Sequence, residues 1–214
     1  MTSPTFFRWG GLALLVGCLV SAISVAITLF VPGPLGPSGP PPVWDAWLGA
    51  ISGLIWLIGL PTLYTVQSKS AGLIGLLGII GLFLAILLLT VVLSLIPAIA
   101  FANYVPPSGP APSEEPPLFI LILLGIGSLL LIAGAILFGI ATLRTKVFAS
   151  WTIWALIVLA ILSTILFFIP VPVFVILGSV ATILFMLLFA WYGYQLAFQT
   201  STYVEVVAAE GSET

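Results

Sequence analysis

Long apolar runs without charge constrain the fold of this chain more than any other feature. Runs of about 18 or more such residues predict membrane helices, because about 20 residues rising about 1.5 Å each cross a hydrocarbon layer of about 30 Å. The six predicted spans are about Phe7–Val31, Trp47–Val66, Ala71–Ile96, Leu118–Leu143, Phe148–Ile169 and Val173–Phe198. They are apolar on all sides and lack the alternating polarity of barrel strands. We therefore expect an all-α, polytopic membrane bundle of six transmembrane helices.

The distribution of charge predicts how the helices are threaded. Only 5% of the 214 residues are charged, and we expect none of them at depth in the membrane. The four basic residues fall on one predicted side, at Arg8, Lys69, Arg144 and Lys146. The loops of the opposite side carry only acidic charge, at Asp45, Glu114 and Glu115. Because lysine and arginine are retained in the cytoplasm, we predict a multi-pass protein of the bacterial inner (plasma) membrane with both termini cytoplasmic.

The segments between and after the spans differ in composition. Two outer loops, residues 31–43 and 101–117, are proline-rich, which favours stiff, non-helical connectors; docking of an external partner is the alternative. We predict one six-helix domain over residues 1–200. The acidic tail, residues 201–214, is too short and polar to form a core, so we expect a disordered cytoplasmic segment.

The N-terminal span contains a short sequence that resembles a lipoprotein cleavage box, residues 15–18, ending at the single cysteine, Cys18. A cleaved signal is usually followed by a polar linker, whereas residues 19–31 remain apolar. We therefore interpret Cys18 as a small buried residue of the first span, with lipidation as the alternative.

A short repeat suggests three tandem helical hairpins, formed by spans 1–2, 3–4 and 5–6. Residues 59–65 and 139–145 both read Gly-x-x-Thr-Leu-x-Thr, and each precedes a basic turn. Small residues on one helix face predict close helix packing within the bundle. The candidate packing residues are Gly17 and Ser21 in span 1, Gly49 and Gly53 in span 2, and Ala135 and Gly139 in span 4. The glycines of span 3 recur every three residues, at Gly72, Gly75, Gly78 and Gly81. We expect them to drift around the helix rather than line one seam, and either to face several neighbours or to soften the helix.

The chemistry available to the chain is limited. Without histidine there is no serine–histidine relay, no histidine haem ligand and no zinc site of the ordinary type. A single cysteine excludes a disulfide framework, no phosphate-binding glycine motif is present, and four basic residues are too few for nucleic acid. We expect no enzyme activity, cofactor or metal site. The remaining polar groups in the spans are hydroxyls and amides, and a neutral-solute path is predicted near Thr90, Ser94 and Asn103 in the outer half of span 3.

Three stretches carry a resemblance to other proteins: Gly59–Gly81, Gly134–Leu159 and Ala190–Leu196. In the first two, a glycine-rich helix end runs through a short basic turn into another helix. The third contains the aromatic-glycine-aromatic cluster Trp191-Tyr192-Gly193-Tyr194. In these features the chain resembles a broad set of uncharacterised bacterial six-span integral membrane proteins. The resemblance implies a fold and a membrane location but no activity.

Two functions are compatible with these features. The first hypothesis is a non-catalytic accessory, structural or regulatory component, whose helix faces bind the lipid bilayer and another membrane protein or a second copy of the chain. The alternative is a permease-like transporter of a small neutral or apolar solute. A lipid-free central cavity lined by the span hydroxyls would favour the transporter, because a transporter needs a polar site near the middle of the membrane.

Overall fold

All regular structure in the described part of the chain is helical. The computed structural model describes residues 4–30, 43–100, 118–145, 148–169 and 171–198. A π-helical stretch, Leu87–Val92, connects the second and third α-helices. The α-helices are α1 (Pro4–Phe30), α2 (Val43–Ile86), α3 (Leu93–Ala100), α4 (Leu118–Thr145), α5 (Ser150–Phe167) and α6 (Pro172–Phe198).

Six segments of these helices are long and apolar enough to cross a membrane. In order, spans 1 to 6 are Thr5–Leu29, Trp44–Ser68, Ala71–Ile96, Leu118–Thr145, Ser150–Phe167 and Pro172–Phe198. Large apolar side chains cover the outside, and residues such as Ile58, Leu73 and Leu129 are about 70% exposed, as expected for a surface in contact with lipid. The predicted all-α six-helix fold is confirmed, and the chain is a multi-pass membrane protein.

Span 2 and the first part of span 3 lie within one long helix that breaks at a single glycine. Helix α2 extends over 44 residues, and Gly72 interrupts it with φ 55° and ψ −152°. This backbone conformation is essentially restricted to glycine, because a Cβ atom would clash with the neighbouring peptide. The predicted short turn near Lys69 therefore takes the form of a break within the helix, after which span 3 returns alongside span 2.

The six spans form a closed ring in sequence order. Each span packs against the preceding and following spans, and α6 packs against α1 to close the ring. Neighbouring spans are antiparallel: Ser21 pairs with Ser52 and Ser24 with Asp45 across spans 1 and 2. We call the half that contains the start of α1 and the end of α6 the basic half, since Arg8 and Arg144 lie there.

The ring is held most closely where glycine lets one backbone touch another. A methyl group built at Gly17 would lie 2.5 Å from the backbone nitrogen of Trp56, and one built at Gly193 would lie 2.6 Å from that of Leu15. Lipid provides no hydrophobic driving force between helices, so the dispersion contacts made at such close approach help to hold the spans together. These backbone contacts lie in the basic half or near the middle of the bundle.

The predicted packing residues contact neighbouring spans of the same chain. Gly49 and Gly53 face Ser94 and Thr90 of span 3, and Gly139 faces Ile157 of span 5. Ser21, of span 1, donates a hydrogen bond of 2.7 Å to the hydroxyl of Ser52 in span 2. Ala135, in the middle of α4, is fully buried.

The expectation that the glycines of span 3 drift toward several neighbours is wrong. Added methyl groups at Gly75, Gly78 and Gly81 would each approach span 4, with the closest contact 2.4 Å from the backbone nitrogen of Phe138. Two steps of three residues rotate the position by only about 120° in total, which is about the width of one helix face. Gly75, Gly78 and Gly81 therefore form one contact seam with span 4, whereas Gly72 lies at the break in α2.

We expect Gly72→Ala to lower the free energy of unfolding by about 1–3 kcal/mol, because alanine would be strained at this backbone conformation. Gly125→Ala is the matched control, since an added methyl group meets no atom within 4 Å at either position and only Gly72 has a positive φ. The control should stabilise α4 by about 0.5–1 kcal/mol. Denaturant titration in detergent micelles measures both, and equal effects would contradict the role assigned to Gly72.

Gly17→Ala should destabilise the bundle by about 1–3 kcal/mol, because the methyl group would meet backbone that cannot rotate away. Gly49→Ala should cost less than about 1 kcal/mol, because its methyl group meets the Ser94 hydroxyl at 2.9 Å and that side chain can change rotamer. Thermal unfolding of the two variants under the same detergent conditions makes the comparison. A larger loss for Gly49→Ala would show that the contact of spans 1 and 2 does not limit stability.

Candidate functional site: a central cavity

A cavity of about 420 Å³ lies inside the ring, and all six spans contribute to its wall. This volume is within the range of about 300–1,000 Å³ that is typical of small-molecule sites. The polar part of the wall is made of hydroxyls and one carboxylate. These residues are Ser21, Ser24, Thr28, Asp45, Thr90, Ser94, Ser128, Ser163, Thr164 and Thr182.

The cavity occupies the end of the bundle opposite Arg8 and Arg144. Thr28 lies near the end of α1, Asp45 in the first turn of α2, and Phe167 at the end of α5. Because neighbouring spans are antiparallel, all three positions lie at the same end. We call this end the cavity half.

The spans separate in the cavity half because side chains lie between them. Methyl groups built at Gly49, Gly53 and Gly127 would first meet side-chain atoms, at 2.7–2.9 Å. Closer to the basic half, the first contacts of Gly11, Gly59 and Gly78 are instead with backbone atoms, at 2.4–2.6 Å. The ring is therefore narrower at the basic half, and the remaining space is the cavity.

Packed aromatic rings close the cavity near the middle of the bundle. We call Trp56, Phe138, Phe185 and Phe189 the aromatic floor. The ring centroids of Trp56 and Phe189 are 5.3 Å apart, and those of Phe185 and Phe189 are 5.1 Å apart. Trp56 and Phe185 form part of the cavity wall, whereas Phe138 and Phe189 are almost completely buried behind them. The cavity thus has a polar wall and an apolar base.

Most of the wall hydroxyls already donate their proton within the protein. Ser163 and Thr164 both donate to the carbonyl of Ala160, at 3.1 and 2.8 Å, and Thr182 donates to that of Gly178 at 2.9 Å. A hydroxyl that donates to its own helix keeps its oxygen lone pairs available. The wall therefore presents mainly hydrogen-bond acceptors.

Asp45 is the only charged side chain among the described residues of the cavity wall. Its side chain is 8% exposed, and one carboxylate oxygen accepts a hydrogen bond of 2.5 Å from the Ser24 hydroxyl. The first turn of a helix suits a carboxylate, because the free N–H groups and the helix dipole favour negative charge there.

The burial of Asp45 corrects the expectation that it lies in an outer loop and that no ionisable group enters the spans. Helix α2 begins at Val43, directly after the proline-rich segment, whereas the predicted span begins at Trp47. Because the helix starts earlier, Asp45 lies in its first turn, and the Asp45 side chain contacts span 1 at Ser24. An acidic residue beside prolines resembles a loop in sequence, so the pattern alone did not reveal its position.

The structure brings two of the three predicted path residues together. Thr90 and Ser94 both line the cavity, and the π-helical stretch includes Thr90. Asn103 lies outside the described residues. The predicted path did not include the wall residues of spans 1, 4, 5 and 6. Each of these spans carries a serine or threonine that lines the cavity, and these hydroxyls were the available sequence signal.

Trp56 adds a hydrogen-bond donor to the site. Its side chain is 2% exposed, and its indole Nε1 has no hydrogen-bond partner among the described residues. A buried donor without a partner costs free energy, of the order of 1–3 kcal/mol. A ligand oxygen or a water molecule in the cavity is the kind of group that would relieve this cost.

Within the ranges that the structure describes, no three residues among His, Cys, Asp and Glu come together as they would to hold a metal ion. The site is thus defined by hydroxyls, one carboxylate and aromatic rings. No protein-family model, curated protein or solved structure matches the chain, so the fold and the cavity are the basis for assigning a function.

We expect Ser24→Ala to destabilise the fold by about 1–3 kcal/mol, because it removes the hydroxyl that hydrogen-bonds the buried Asp45 carboxylate. Ser163→Ala is the matched control: Ser163 lines the same cavity and is also buried, but its hydroxyl bonds only the backbone of its own helix. The control should change stability by less than about 1 kcal/mol. Denaturant titration in micelles checks this, and indistinguishable losses would remove the special role of the Ser24–Asp45 pair.

Proposed function

We propose that this protein is a permease-like membrane protein that binds a small solute in its central cavity. The observation that carries the proposal is the cavity itself, with polar residues from all six spans around one space of about 420 Å³. Protein interiors are normally packed closely enough to leave few voids larger than a water molecule. An accessory protein that acts through its outer helix faces has no need of such a space.

The π-helical stretch Leu87–Val92 also supports a binding role. It contributes Leu89 and Thr90 to the wall, and π-helical turns within longer helices are frequent at functional sites. Passage of a solute to the basic half would require the aromatic floor to separate, with Trp56 and Phe185 moving first, since they lie in the wall.

The proposed orientation places the basic half in the cytoplasm, because Arg8 and Arg144 lie at that end. The cavity half then faces the outside of the bacterial inner membrane. A solute would reach Asp45 and Thr28 before the deeper hydroxyls.

Cysteine labelling tests whether the cavity is open to water. Cys18 is the only cysteine and is fully buried, so Cys18→Ala provides a background for Ser94→Cys and Ser128→Cys, both in the wall. A membrane-impermeant ammonium methanethiosulfonate reagent added outside intact cells should modify both wall cysteines. We expect rates about tenfold or more above that of Ser179→Cys, since thiols react as thiolates in water.

Ser179 is the matched control because its hydroxyl bonds the Val175 carbonyl of α6 and its side chain is not part of the wall. Labelling of the wall cysteines from inverted vesicles as well would indicate that access alternates between the two sides. If the wall cysteines react no faster than Ser179→Cys from either side, the proposed solute site is wrong.

A further inference from the structure

We infer that the cavity takes a protonated amine with a small apolar body, and that Asp45 is its counter-ion. The inference rests on the proposed function, because it names the substrate class of the same cavity. It differs from the neutral or apolar solute expected from the sequence, and the difference arises from the burial of Asp45.

The charge of the wall is unbalanced. Among the wall residues that the structure describes, Asp45 contributes a carboxylate and none is a lysine or arginine. The side chains of Arg8 and Arg144 lie exposed in the basic half. Ser24 supplies one hydrogen bond, but a carboxylate has about four acceptor positions. A buried carboxylate is costly unless it is paired, and a cationic ligand would supply the missing partner.

The hydroxyls of the wall favour a ligand that donates hydrogen bonds. Ser21 donates to Ser52, Thr28 to Val25 and Thr182 to Gly178, so the free lone pairs of these wall oxygens remain as acceptors. An ammonium group has three N–H donors and no acceptor. A carboxylate or phosphate ligand would instead meet acceptors and the charge of Asp45.

The base of the cavity suits the apolar part of such a ligand. Trp56 lies eleven residues after Asp45 in the same helix, which places it about 16 Å deeper. Trp56, Phe185 and Met186 provide an apolar surface there. An amine held by Asp45 near the mouth would direct its apolar body toward this surface, and the unpartnered Trp56 indole N–H offers one donor to an acceptor at the far end of the ligand.

Matched ligands separate the charge from the shape. Benzylamine is protonated at neutral pH, and benzyl alcohol has nearly the same size without the charge. We would measure binding of both by calorimetry to the full chain in phosphatidylcholine nanodiscs, whose zwitterionic lipid does not itself attract cations. We expect the dissociation constant of benzylamine to be lower by about tenfold or more, as for a hydrogen-bonded charge pair.

Substitution of Asp45 assigns the preference to one residue. Asp45→Asn keeps the size and the acceptor for Ser24 but removes the charge, so it should weaken benzylamine binding by about tenfold or more and leave benzyl alcohol unchanged. Asp45→Glu retains the charge and should retain the preference, which separates loss of binding from loss of folding. Thr28→Val removes a neutral wall hydroxyl. It should lower the ratio of the benzyl alcohol and benzylamine dissociation constants less than Asp45→Asn does.

The outcomes distinguish this inference from the proposed function. Equal binding of both ligands, unaffected by Asp45→Asn, would overturn the amine as substrate class and leave the solute cavity intact. Absence of binding by either ligand, with the wall cysteines readily labelled, would likewise overturn the amine alone. Absence of binding together with unreactive wall cysteines would overturn both.

Discussion

Direct contact between helix backbones at glycine is the interaction on which the rest of this structure depends. Lipid is as apolar as the side chains it surrounds, so association of the spans relies on close packing. Gly17 against Trp56, Gly78 against Phe138 and Gly193 against Leu15 bring backbones together in the basic half and near the middle. Side chains separate the spans in the cavity half. One packing difference along the bundle axis therefore creates both a tight end and an open one.

The polar groups of the cavity are possible because the ring shields them from lipid. Hydroxyls in membrane helices can bond their own backbone, as Ser163 and Thr164 do at Ala160, and such residues are inexpensive to insert. The Asp45 carboxylate is different, since a charged group facing lipid is costly. Its place between spans 1 and 2, beside Ser24 and at a helix N-terminus, combines three sources of stabilisation: a hydrogen bond, the helix dipole and exclusion of lipid.

The sequence predicted the number and nature of the spans because hydropathy is a direct physical requirement of the bilayer. It did not predict which side of each helix faces inward. Every span is apolar around its whole circumference, so no periodicity distinguishes the cavity face from the lipid face. Thr90 and Ser94 were found because they lie close together in one span, whereas Ser128 and Thr182 converge with them only through the rotation of separate helices. Asp45 and the seam at Gly75, Gly78 and Gly81 were missed for related reasons: helix starts and helix rotation depend on tertiary contacts.

The contact of α1 with α6 has a consequence for biosynthesis. Spans leave the ribosome in order, and domains generally assemble from the N-terminus as they emerge. Until span 6 is inserted, spans 1 to 5 can form only an open row of helices, and the side that will become the cavity wall lacks Thr182 and Phe185. Docking of Gly193 against Leu15 then closes the row into a ring. Span 6 thus converts a surface facing the lipid into an interior, so the cavity exists only once all six spans have been inserted.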